Sequence, residues 1–371
     1  MNAKPYHPIF SPEPRHHTEA EFSREEVMLA HHNNAFPLEA LAHDVTPAGL
    51  HYVLTHFDIP YVPDAAAWRL AVLGAVPNAG SFSVADIRAM PQRTLRVTLE
   101  CAGNGRIHIK PRWRSMPWSH EAVSTAEWTG TPLKNLLAAV GVKDKFASGV
   151  VEVSFLGVDR GFDKGVEHNF GRSLKPAMAL SDDVLVVHAM NGQPLLPQHG
   201  FPLRLIVPGW YGMASVKWLD RIEVLTRPFD GFQQVGTYHF RDRSGGAPVP
   251  VTTMRVKSLI KPPGIPDWYS RARLLDRGRV VLEGRAWAGG GRAIKSVLVA
   301  IDGVLRAAFV HPKPGPFAWQ KWTCEWDATP GEHILACRAI DDAGAEQPLD
   351  APYDAGGFGN NGAHMMTVTV R

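Results

Sequence analysis

Hydrophobic and polar positions change rhythm several times along the chain, and each change predicts an element. Residues 1–22 have no period and are broken by prolines, which predicts an irregular arm. Ser23-Arg24-Glu25-Glu26 then has capping-box spacing ahead of Val27, Met28 and Leu29, predicting a short helix. Thr46-Pro47, followed by Leu50, Val53 and Leu54, predicts a second helix with proline at its first position. From Trp68 the pattern becomes short alternation, as in residues 68–72 and 95–99, the signature of half-buried strands. Residues 128–140 read as a helix stopping at Gly141, and residues 150–155, 185–188 and 203–207 as strands.

Residues 227–250 are rich in Gly, Arg and Pro with weak periodicity, which suits a linker. Beyond Val251 the texture is purely β: residues 279–286, 296–301, 323–326 and 332–340 alternate between glycine and proline turns, at intervals expected of an immunoglobulin-like sandwich. Strands of uneven spacing with few helices favour an α+β fold. The expected organisation is an arm at 1–22, a mixed α+β domain at 23–235 and an all-β sandwich at 236–371.

Composition narrows the class. The 371 residues suit about two domains. At 45% hydrophobic and 20% charged, the chain can bury sizeable cores. With 39 Lys and Arg against 36 acids, the net charge of +3 offers no basic face for nucleic acid. No apolar run approaches the roughly 18–20 residues of a membrane span, and the polar, proline-broken start has no signal-peptide core. The expectation is a cytoplasmic protein, or a periplasmic one if a signal was trimmed. Three cysteines are too few for a disulfide scaffold, and Cys324 and Cys337, on strands expected to be neighbours, are expected to be buried thiols.

Chemistry concentrates at residues 95–106, LRVTLECAGNGR. An alternating strand runs into Cys101 and breaks on Gly103 and Gly105. A cysteine there can present its sulfur at a cleft, with Arg106 nearby to favour the thiolate, the form that ligates metals or attacks carbon. The alternative is a small buried cysteine plugging a strand end.

The string ECAGNGR, with Trp118 and AVSTAEWTGTPL after it, resembles the sulfite oxidase family of molybdenum enzymes. FLGVDRG around Asp159, MNGQPLLPQHGFPLRLIVPG from Met190, SVKWLDRIEV from Ser215 and the earlier TPAGLHYVLTHFDIP extend the resemblance over most of residues 46–226. It implies a haem-free bacterial member with one molybdenum, held by a molybdopterin dithiolene and by the cysteine of the motif, here Cys101. It also implies a C-terminal dimerisation domain and hence a homodimer. By the same match, His56, Thr55, Asp159, His199, Arg204, Ser215 and Lys217 are the cofactor-binding candidates. Arg204 and Lys217 would neutralise the phosphate, His56 and His199 would donate to phosphate or pterin, and Asp159 would accept from pterin N–H groups. Arg106 and Trp118 belong to the pocket for a small oxyanion or sulfoxide substrate.

The resemblance implies oxygen-atom transfer, with sulfite to sulfate as the leading reaction. No haem, flavin or nicotinamide fingerprint is visible, so electrons are expected to pass to an external acceptor such as a cytochrome. The opposite direction, reduction of a sulfoxide or other oxyanion, and a non-catalytic cofactor-binding module are the alternatives. The pattern departs from sulfite-oxidising members in places. Leu54 stands where they have an arginine and Thr55 where asparagine is common, the region around Gly356 brings no second arginine, and the pocket tyrosine is matched here by Phe229. Losing two arginines should weaken sulfite binding by several kcal/mol, at roughly 1.5–3 kcal/mol per charged hydrogen bond. The polar run His31-His32-Asn33-Asn34 is the expected replacement, lining the substrate entrance with donors.

Overall fold

A computed structural model describes residues 22–371, so the expected arm at 1–22 lies almost wholly outside the described residues. The first predicted helix forms at Arg24–His32, opened by a complete Ser23/Glu26 capping box. The α+β class holds: helices are few and short, and most described residues in regular structure are in strands.

Two sheets build the first half. One runs in the order Gly80–Ser83, Arg69–Gly74, Leu219–Leu225, Glu152–Asp163, Val166–Leu174, antiparallel except where Arg69–Gly74 lies parallel to Leu219–Leu225. The other joins Arg93–Glu100 to Val123–Pro132, Leu185–Met190 and Gln193–Pro194, with Arg204–Ile206 on the far side of Leu185–Met190. The second half is a sandwich. A four-stranded sheet holding Lys257–Ile260, Gly278–Trp287 and Gln320–Ala328 faces a six-stranded sheet holding Ile294–Ile301, Gly331–Asp341 and His364–Val370. Alternating residues such as Leu282, Val299, Trp326 and Leu335 fill the space between them.

The halves do not stand apart. Trp287, Trp319 and Phe358 of the sandwich share one buried cluster with Val123, Leu203 and Val251. At the seam Lys257 and Glu100 form an ion pair of 3.0 Å, with side chains only 1% and 2% exposed. Trp287 Nε1 and Asn104 Nδ2 also donate to that carboxylate.

Several expectations are corrected. Residues 128–140 are not one helix: the strand Val123–Pro132 comes first and the helix is only Leu133–Ala139. Most of that strand is buried on both faces, so its alternation is erased and it merges with the apolar helix behind it. Thr46-Pro47 opens only a three-residue 3₁₀ turn, Ala48–Leu50. The Thr46 hydroxyl accepts the Thr125 N–H instead of capping a helix, which ties the segment to the sheet. Residues 227–250 are also more than a linker, because they contain a five-residue π-turn, Gln233–Thr237, and a strand pair. Cys324 and Cys337 are free and buried, as expected, but they sit on opposite sheets of the sandwich rather than on neighbouring strands.

Candidate active site

The strand Arg93–Glu100 ends directly before Cys101, and the turn that follows is pinned on both sides. Gly105 takes φ 85°, open to glycine at little cost, and its carbonyl accepts from Asn360 of the sandwich at 2.6 Å. Asn104 spans Glu100 and the Ala122 N–H. The Cys101 side chain is mostly buried, yet it lines two adjoining cavities, so the bland reading of a sealed cysteine does not describe it. Burial pushes its thiol pKa up, against the opposing pull of Arg106, so within the bare protein the arginine does not win outright.

The inner cavity, about 650 Å³ of empty space including its mouth, gathers His56, Asp159, His199, Arg204, Ser215 and Lys217 beside Cys101. Turns place them. Asp159 sits where the pairing of Glu152–Asp163 with Val166–Leu174 slips register. A Cβ on Gly157 would run into the Asp159 carboxylate and the Lys217 carbonyl, so only glycine lets the bulge close this tightly. Arg204 crosses over the Trp128 ring at 4.8 Å and donates to the carbonyls of His199 and Ser215, both at 3.0 Å. Lys217 donates to the carbonyls of Leu54 and Gln198 at 2.9 and 3.1 Å.

Burial lowers both cations, Arg204 to about 10, while the Asp159 carboxylate lining the same cavity pulls Lys217 back up. Burial raises Asp159 and holds His56 and His199 near 4, neutral at ordinary pH. Arg204 Nε, Asp159 Oδ1 and His51 Nε2 are buried with no hydrogen-bond partner. Two buried cations facing one carboxylate whose ionisation burial opposes, beside unpaired polar atoms around a space, are costly unless a polar anion fills it.

The outer cavity opens on the other side of Cys101. Arg106 donates to the carbonyls of Met116 at 2.8 Å and Gly356 at 3.3 Å through Nη1 and Nε, and its Nη2 lies against Gly103 on the cavity wall. The Trp118 indole N–H has no regular hydrogen-bond partner but lies by the Cys101 thiol, whose pKa it helps hold down against burial. Tyr238 lines both cavities and shares a 2.9 Å hydrogen bond with His56 Nε2.

The oxidoreductase molybdopterin binding domain family matches residues 56–233. Sulfite oxidase from Gallus gallus is 31% identical over 84% of this chain and 70% of its own length. The chain belongs to the sulfite oxidase family. A nitrate reductase [NADH] from Ulva prolifera is 30% identical over 87% of this chain, which spans only 40% of that enzyme's length. Among solved structures, the sulfane dehydrogenase SoxCD from Paracoccus pantotrophus superposes with a TM-score of 0.78 at 27% identity, covering 91% of this chain and 84% of its own.

The inner cavity fits the molybdopterin of the sulfite oxidase family. Arg204 and Lys217 suit its phosphate, the unpaired Asp159 oxygen suits a pterin N–H, and His51 and His199 suit its polar edge. Among the described residues no group of three or more His, Cys, Asp or Glu is set to hold a metal. Cys101, the cysteine shared by both cavities, is the soft donor that would hold a metal beside the cofactor.

The sequence-derived candidates separate into two groups. His56, Asp159, His199, Arg204, Ser215 and Lys217 meet at the inner cavity, whereas Thr55 lines the outer one together with Arg106 and Trp118. Of His31–Asn34, only Asn33 reaches the outer cavity, and both ends of its amide are engaged, by the Thr55 N–H and the Leu29 carbonyl. His31 lines a separate surface hollow and Asn34 pairs with Val53. The expectation of an entrance lined with free donors is corrected: the run positions Thr55.

Phe229, matched to the family's pocket tyrosine, lines neither cavity. It packs against Gly171 and Gly231, while Tyr238, nine residues on, occupies the pocket. The π-turn presents Tyr238, and Arg172 holds it, crossing its ring at 5.4 Å and donating to the Gln233 carbonyl. His51 and Tyr52 also line the inner cavity, and periodicity hid them inside a helix that does not form.

Proposed function

We propose that this chain is a molybdopterin-dependent oxidoreductase that adds an oxygen atom to a small sulfur oxyanion, with sulfite as the parent substrate. Two electrons then pass to a separate one-electron acceptor such as a cytochrome. The observation that carries the reading is the placement of Cys101 between a cation-lined inner cavity and an outer cavity holding Arg106, Trp118 and Tyr238. When bound, the cofactor supplies oxygen-atom transfer and stores the electron pair, which is chemistry no side chain here can provide. The chain's own residues bind and orient. Arg106 offers its positive charge to a substrate oxygen, the Trp118 N–H and the Tyr238 hydroxyl add neutral donors, and the surrounding burial strengthens each.

The two missing arginines have partial substitutes. Arg114, Lys164 and Arg241 line the outer cavity and outnumber its one acid, Asp163. They favour anion entry, though they do not reproduce a direct contact at Leu54. A homodimer joined through the sandwich belongs to the same proposal, as does a cytoplasmic or periplasmic setting.

The test combines metal analysis of the purified protein with steady-state assays on sulfite using an artificial one-electron acceptor. Cys101→Ser is expected to keep the fold, by circular dichroism and melting, while turnover falls to background, because only the thiolate binds the metal as a soft ligand. A purified wild-type protein free of molybdenum, or full activity in the serine variant, refutes the proposal.

A further inference from the structure

Sulfite needs little room, yet the cavity beside Cys101 is large and half apolar. Its empty space is about 1,320 Å³ including the open mouth, roughly twice that of the inner cavity. At the mouth stand Leu29, Trp113 and Phe162, exposed by 38%, 50% and 71%. Large apolar side chains left in water around one concave opening mark a ligand groove rather than packing.

The inner end has a different character. Arg106 stands there beside Cys101, with two of its nitrogens already bound to carbonyls. Leu54 and Gly356 bring no charge, and Phe358 lies under the guanidinium at 5.4 Å. Arg106 with the neutral donors of Trp118 and Tyr238 suits a compact anionic head beside Cys101, leaving the apolar mouth for the rest of the substrate.

We propose that the preferred substrate is an organic sulfinate, R–SO₂⁻, with its anionic head at Arg106 beside Cys101 and its apolar R group along Trp113 and Phe162. This rests on the oxygen-transfer function proposed above and narrows its substrate class. The reaction balances as R–SO₂⁻ + H₂O → R–SO₃⁻ + 2 H⁺ + 2 e⁻. The sulfur lone pair forms the new S–O bond, both O–H bonds of water break, no bond in the substrate is cut, and the electrons leave singly to the external acceptor. Arg114, Lys164 and Arg241 around the cavity draw the anion inward, and the ring or alkyl group shields the head from water once seated.

The experiment uses the full-length, molybdenum-loaded protein with benzenesulfinate, methanesulfinate and sulfite and one artificial acceptor. Benzenesulfinate is expected to have a kcat/KM at least about tenfold above sulfite, with methanesulfinate between them, from burial of the ring. In Trp113→Ala/Phe162→Ala that ratio is expected to fall at least about fivefold. Calorimetry supplies a readout independent of turnover: benzenesulfonate should bind at least about tenfold more tightly than sulfate, in wild type and in Cys101→Ser alike. Oxidation of sulfite without oxidation of the sulfinates, or equal binding of the two products, overturns this proposal and leaves the broader function standing. Oxidation of none of the three by the loaded protein overturns both.

Discussion

Replacing Lys257 by methionine tests whether the sandwich holds the Cys101 turn in place. Lys257 Nζ lies 3.0 Å from Glu100 Oε1 with both side chains nearly free of solvent, and Glu100 immediately precedes Cys101. Methionine nearly conserves the volume but leaves a carboxylate buried against only the Trp287 and Asn104 donors. Breaking a buried pair from one side costs about 3–5 kcal/mol, because the remaining charge is stranded. Adding Glu100→Gln removes that charge while keeping one acceptor for Trp287 or Asn104. The double variant should therefore recover more than about 1.5 kcal/mol relative to the sum of the singles. Urea unfolding followed by tryptophan fluorescence reads both halves at once, since Trp287 and Trp319 sit in the shared core. An unchanged midpoint in Lys257→Met, or strict additivity in the pair, would refute the reasoning.

Three further outcomes follow from the same geometry. Arg204→Ala and Lys217→Ala should each purify with at least about tenfold less molybdenum, measured by mass spectrometry, because each removes a buried cation from the inner cavity; full occupancy would remove the phosphate role. Burial holds His364 near 3 and His120 well below the ordinary imidazole value. The unfolded chain therefore takes up protons that the native protein refuses as pH falls below about 6.5, each unit of separation costing about 1.4 kcal/mol. Urea midpoints should drop from about pH 6.5 downward and stay flat above it, and His364→Gln, whose amide oxygen can still accept the Ile260 N–H, should flatten the slope; an identical slope speaks against it. Finally, Leu54→Arg should lower the KM for sulfite roughly tenfold with little change in kcat, since a charged hydrogen bond contributes about 1.5–3 kcal/mol; an unchanged KM means the substrate head lies elsewhere.

Local chemistry made some of the site legible in the chain itself. Alternation from Leu95 into Cys101, followed by Gly103 and Gly105, already specified a strand ending on a cysteine beside a turn, because strand period and glycine breaks act over a few residues. The ordered segments around Asp159, His199, Arg204 and Lys217 likewise announced the family and its cofactor. Short-range signals failed where burial removed contrast. The strand Val123–Pro132 lost its polar face to a second layer, and Thr46-Pro47 lost its cap role to a hydroxyl bond with Thr125.

What remained was decided by packing between distant segments. Tyr238 enters the pocket from a stretch that reads as a linker, because the π-turn, Arg172 and His56 fix its direction. Gly356 and Phe358, about 250 residues after Arg106, close its guanidinium from the sandwich side. Composition and period determine which residues can be buried and in what elements. Whether Cys101 plugs a core or faces a cleft depends on how two halves of the chain meet around it, and that is set only when their shared apolar cluster and the Glu100–Lys257 pair leave water together.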